Sequence, residues 1–138
     1  MKKYLLDTNI CIYYLKKQFD LDKKIIEVGF KNCYVSEITL AELLFGVENG
    51  EEQHKERNQN KYNEFEELFE KRIIPIREAF EHYAIQRAKL RKTGKQIGDF
   101  DTLIASTALV HEMILVTRNV KHFERIEGLE IENWIDVD

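Results

Sequence analysis

Asp7, Glu42, Asp99 and Asp101 share one property: each falls just past an apolar segment or in the first turns of an expected helix. In an open α/β sheet the carboxyl ends of parallel strands lie along one edge, so acids far apart in sequence can meet there. Two carboxylates 4 Å apart repel by about 4 kcal/mol at an effective dielectric of 20, and a divalent cation removes that repulsion. Oxygen ligands without nearby His or Cys favour Mg²⁺ or Mn²⁺ over zinc. Such an ion can activate water and steady a phosphoryl oxygen, which is hydrolytic phosphate chemistry. Asp7, Asp101 and Glu42 are the candidate ligands and, with Asp99, the candidate catalytic acids. Thr8 and Asn9 beside Asp7, and Thr117 and Asn119 in "LVTRN", are the candidate supporting groups, with Asn119 able to ligate through its amide oxygen or to orient a water.

Each residue taken singly has a bland alternative. Asp7 can open a polar loop, and Glu42 stands three residues after Thr39, a capping-box spacing. Asp99 and Asp101 fall where a helix dipole favours negative charge by about 0.3–1 kcal/mol, and Asn119 suits a turn or cap. The set carries the weight that no single member does. His54, His82, His111 and His122 show no ligand-pair spacing, and surface or filler roles are expected for them.

The elements that must position these residues alternate. "YLL" at 4–6 reads as a strand buried on both faces, followed by a helix from Ile10 to Lys17 for which Asn9 is the expected cap. A helix over 22–30, with Ile25, Ile26 and Phe30 inward, leads to a second strand at 32–36. "TLAELLFGVENG" is a helix that Gly50 can end, and 51–69 is a second one with a thin apolar face of Tyr62, Phe65, Leu68 and Phe69. The segment 42–70 is expected as a helical hairpin protruding from the body. "RIIPI" is the third strand, with Pro75 marking its end or a sheet edge. A helix over 78–92, its turns marked by Phe80, Tyr83, Ala84, Ala88 and Leu90 or Arg91, precedes a small-residue helix from Asp101, a strand "MILVT" and a last strand near 129–134. The pattern predicts one α/β domain over 1–138 with a mainly parallel sheet of four or five strands.

Bulk properties narrow the function. With 43% hydrophobic and 33% charged residues the chain has the composition of an ordered globule, and its net charge of −4 argues against coating nucleic acid by overall charge. The charge is nonetheless uneven: residues 71–95 hold eight Lys or Arg against Glu78 and Glu81, between two acidic flanks. Within that stretch Arg87, Lys89, Arg91, Lys92 and Lys95 lead toward the Asp99 region. Read blandly they are a solvated helix face; beside an acidic metal site they form a rim for a polyanion, which points to nucleic acid. Cys11 and Cys33 lack a C-x-x-C spacing, so reduced thiols are expected, and no apolar run approaches the ~18 residues of a membrane span. A cytoplasmic protein is the expectation.

Other classes fit less well. Aspartyl phosphatases need a second Asp two residues after the first, where Asn9 stands, and receiver domains need paired acids at strand one that "LLDTN" lacks. A catalytically silent module using the acidic pocket to receive RNA or a basic peptide is the alternative from outside the enzymes.

"LLDTNICIYYL", "ITLAELLFGV", "IGDFDTLIASTAL" and "LVTRNVKHFERIEGLEIENW", in this order, resemble the landmarks of PIN-domain ribonucleases, specifically the VapC-type toxins of toxin–antitoxin pairs. The resemblance covers nearly the whole chain. It implies a PIN-like three-layer sandwich and an Mg²⁺-dependent endoribonuclease, Mn²⁺ substituting, in which Asp7, Glu42 and Asp101 match the metal-binding acids. Asp99 matches an additional acid of many members, and Asn119 stands where the broader family often has Asp. The resemblance further implies a homodimer, a VapB-type antitoxin inserted across the acidic site, and a compact RNA target. The last segment looks closest to members that cut initiator tRNA.

Overall fold

Alternation along the strands sorts the core into two layers. In β1 (Tyr4–Leu6) Leu5 faces one layer while Tyr4 and Leu6 face the other, as the two-residue period of a strand requires. In β2 (Cys33–Ser36) Cys33 and Val35 join Tyr4 and Leu6, and in β4 (Ile114–Val116) Leu115 joins Leu5. With β3 (Ile73–Ile74) and β5 (Ile131–Glu132) these strands form a five-stranded sheet in the order β3-β2-β1-β4-β5, parallel at every pairing. The computed structural model describes residues 1–136.

The helices cover both faces. On one side lie α1 (Thr8–Leu15), α2 (Leu21–Val28), much of α3 (Glu37–Asn49) and α4 (Lys55–Phe69), which supply Ile10, Leu21, Ile25, Leu43, Val47, Phe65 and Phe69 to the first layer. On the other lie α5 (Phe80–Thr93), α6 (Asp99–Val110) and the single turn α7 (Val120–Phe123). Ala105, Ser106, Thr107 and Ala108 of α6 are all buried, so small side chains let this helix lie close to its neighbours. Both cysteines are free and buried. Among the described residues no helix is long and apolar enough to cross a membrane.

Several expectations are corrected. The cap of α1 is Asp7, whose Oδ1 accepts the Thr8 amide at 2.9 Å, and Asn9 lies inside the helix. Ile26 is exposed rather than inward, since α2 turns only Leu21 and Ile25 fully into the core. The hairpin over 42–70 is anchored in the body: Tyr62, Phe65 and Phe69 belong to the main core, and only Leu68 of the expected face is exposed. In α5 the buried positions are Gln86 and Leu90, while Phe80, Ala84 and Ala88 face outward. Pro75 does follow an edge strand, as its missing N–H requires.

Candidate active site

The carboxyl edge of the sheet collects Asp7, Thr8, Glu42, Asp101 and Thr117 from four elements. Asp7 leaves β1 through its own backbone N–H, which donates to the Val116 carbonyl at 2.9 Å and so locks the residue against β4. Its side chain is 4% exposed. Oδ1 caps α1, and Oδ2 accepts the Thr117 hydroxyl at 2.8 Å. Thr117 accepts the Asn119 amide at 3.1 Å, which directs its own proton to Asp7.

Glu42 arrives on α3. The cap of that helix is Ser36, whose Oγ accepts the Ile38 amide at 3.1 Å, so the capping-box reading of Thr39 and Glu42 fails. Glu42 instead accepts the Thr8 hydroxyl at 2.5 Å, and Thr39, buried beneath, lies 3.0 Å from the same Thr8 oxygen. Thr8 thus ties the start of α1 to the glutamate of α3.

Asp101 arrives in the first turn of α6. It lies 3.1 Å, Oδ2 to Nε2, from His122 on α7, a contact the sequence reading missed. No spacing rule finds it, because it depends on a four-residue helix after β4 turning back toward α6. The usable signal was positional: α6 and α7 both start at the carboxyl edge.

The charges of the three acids reach one another. Burial pushes the Asp7 carboxyl from its ordinary 3.8 up to about 6, with the Asp101 and Glu42 charges adding to the rise and the Thr117 and Thr8 hydrogen bonds opposing it. Glu42 is raised as well, first by burial and then by Asp101. Asn9 adds an amide oxygen that is buried and has no partner among the described residues. These are hard oxygen donors at one edge of the sheet, a donor type that suits a divalent cation. Among the described residues no three Asp, Glu, His or Cys side chains stand close enough to cage an ion as they are; threonine hydroxyls donate to two of the acids instead.

Asp99 is not brought into this group. Side chains two apart on a helix do not share a face, and Asp99 turns to α5, where it accepts the Tyr83 hydroxyl at 3.0 Å and pairs with Arg87 at 3.6 Å. Arg87 is correspondingly engaged. With Arg91 and Gln96 these two residues line a cleft of about 390 Å³ between α5 and the start of α6. Lys89, Arg91, Lys92 and Lys95 are exposed, as is Asn119, which starts α7 without a side-chain cap bond.

Comparison with known proteins agrees with this architecture. The PIN domain family model matches residues 4–129. The chain is 40% identical to "Ribonuclease VapC2" of Rickettsia felis, over 95% of this chain and 97% of the relative, and 35% identical to "tRNA(fMet)-specific endonuclease VapC" of Shigella flexneri, over 97% and 99%. A crystal structure of VapBC2 from Rickettsia felis bound to a promoter DNA fragment superposes with a TM-score of 0.83 at 39% identity, covering 95% of this chain and 98% of that one. The parallel sheet with its edge of acids and these full-length likenesses place the chain in the PIN-domain family, among the VapC-type ribonucleases.

Proposed function

We propose that this protein is an Mg²⁺- or Mn²⁺-dependent endoribonuclease toxin that hydrolyses phosphodiester bonds of a structured RNA, a tRNA, and is neutralised by a VapB-type antitoxin. The observation that carries the reading is Asp7: a buried carboxylate at the end of the central strand, raised to about 6 and flanked by the charges of Asp101 and Glu42. Asp7, Glu42 and Asp101 would hold the ion, which when bound supplies Lewis-acid stabilisation of charge on the phosphoryl oxygens. The chain's other residues orient those acids. Thr117 holds Asp7, Thr8 holds Glu42 and His122 holds Asp101, each by a direct hydrogen bond to a carboxylate oxygen. Lys89, Arg91, Lys92 and Lys95 bind flanking phosphates, with Arg87 joining them when it releases Asp99. The likeness to the VapBC complex and to a tRNA(fMet)-specific endonuclease supports the antitoxin and the RNA class. A homodimer is part of the same proposal.

The test is incubation of purified protein with total tRNA, mapping new 5′ ends. Discrete cuts are expected with Mn²⁺, and they vanish with EDTA or with Asp7→Asn. If Asp7→Asn cut as well as the parent, the assignment would be overturned.

A further inference from the structure

One aromatic pair carries a ring that is largely open to solvent. Tyr4–Trp134, Phe30–Phe69 and Phe65–Phe69 each include residues of the main core, whereas Tyr13–Phe19 meets edge to face with centroids 5.0 Å apart and leaves Phe19 47% exposed. Arg118 lies across both rings, its guanidinium carbon 5.1 Å from the Phe19 centroid and 5.6 Å from that of Tyr13. The guanidinium is held there by the Tyr13 hydroxyl at 3.2 Å and by both oxygens of Asp136 at 3.1 and 3.3 Å.

The backbone sets Phe19 in this position against its own preference. Lys17, Phe19 and Asp20 all adopt left-handed conformations, with φ of 57°, 60° and 52°, which L residues disfavour. Burial does not account for this, since all three are exposed. The location is also specific. Arg118 directly follows Thr117, whose hydroxyl holds Asp7, and Tyr13 lies six residues along the helix that Asp7 caps, about 9 Å by helical rise.

We propose that Phe19, Tyr13 and Arg118 form a stacking site for an unpaired nucleobase of the RNA, just past the C-terminal end of the helix that Asp7 caps. An exposed aromatic face with an arginine plane beside it is the chemistry that captures splayed bases of single-stranded RNA, and it discriminates little between them. The inference rests on the ribonuclease reading and adds a subsite separate from the lysine-rich helix, which meets phosphates rather than bases.

The probe is a short single-stranded oligoribonucleotide carrying 2-aminopurine, whose fluorescence is quenched by stacking, titrated in EDTA so that no cutting occurs. Parent protein is expected to bind and quench. Phe19→Leu keeps an apolar body but loses the ring, and is expected to weaken binding roughly tenfold, within the range for one lost base–aromatic stack, and to abolish quenching. Phe19→Trp is expected to retain both, and with Mn²⁺ Phe19→Leu should raise KM while leaving kcat unchanged. Unaltered binding and quenching in Phe19→Leu overturn the stacking site, as does Phe19→Trp failing as badly as Phe19→Leu, which marks a packing role. If the parent cuts RNA while these variants behave as it does, only the subsite falls; if the parent neither binds nor cuts, the nuclease reading falls with it.

Discussion

Asp7 carries a cost in stability. In the unfolded chain its carboxyl loses a proton near 3.8, whereas in the folded protein it holds the proton up to about 6. Between those values the folded state binds more protons, so the contribution of this group to stability is full below about pH 4 and is lost as pH rises through 6. Two pKa units correspond to about 3 kcal/mol of destabilisation at neutral pH as an upper figure. Glu42, raised in the same direction, adds to it. Asn at position 7 keeps a good helix cap and removes the charge. Asp7→Asn is therefore expected to raise the melting temperature at pH 7.5 in EDTA, with the gap closing toward pH 4. Added Mn²⁺ is expected to stabilise the parent and not the variant, because a ligand that binds only the folded state shifts unfolding by mass action. Differential scanning fluorimetry across pH reads both effects, and a lower melting temperature for Asp7→Asn at pH 7.5 would contradict the account. At this scale the sequence was largely legible: Asp7, Glu42 and Asp101 follow apolar runs whose ends a parallel sheet aligns. Asp99 misled because its sequence neighbourhood is that of Asp101 while its helical face is not.

Among the elements, α3 does the most to deliver chemistry. Its start is fixed by Ser36, fully buried, whose hydroxyl oxygen accepts the Ile38 amide, and by Glu37, whose carboxylate accepts the Ile76 amide at 2.9 Å and ties the helix to the segment after β3. Six residues on, the same helix presents Glu42 to Thr8. Ser36→Ala removes the cap and leaves the Ile38 amide without its side-chain partner, at an expected loss of about 1 kcal/mol. Urea denaturation should show a lower midpoint with an unchanged slope, and unchanged stability would deny the cap its role. The end of α3 was readable because Gly50 follows it, whereas its start lies two residues before the expected Thr39, where Ser36 supplies the cap. The inward face of α5 was readable only at Leu90. Phe80, Ala84 and Ala88 follow helical spacing as faithfully as a core face does, yet Gln86 and Leu90 are the residues that pack. Periodicity reports that a helix has an apolar stripe, not which neighbour covers it. His122 was hidden for a related reason, since its contact with Asp101 arises only when α6 and α7 are set side by side at the sheet edge.

For the whole molecule the proposed RNA substrate sets a requirement, since a chain of net charge −4 must then hold a polyanion beside its acids. Bulk attraction is absent, so affinity must come from local cations that release counterions when they meet phosphate. Lys89, Lys92 and Lys95 meet the requirement: all three are exposed on or just past α5, none makes a salt bridge among the described residues, and they belong to the one strongly basic stretch of the chain. Arg87 does not qualify in the free protein, because it is paired with Asp99. Each phosphate contact on single-stranded RNA contributes about 0.7 to the slope of log affinity against log salt. Replacing the three lysines together by Gln should therefore flatten that slope by about 2 while leaving the melting temperature nearly unchanged, the side chains being solvated. Fluorescence titration of RNA at a series of salt concentrations in EDTA gives the slope directly. A triple variant with the parent's slope would move the RNA off this helix, and the acidic edge would then need another source of positive charge.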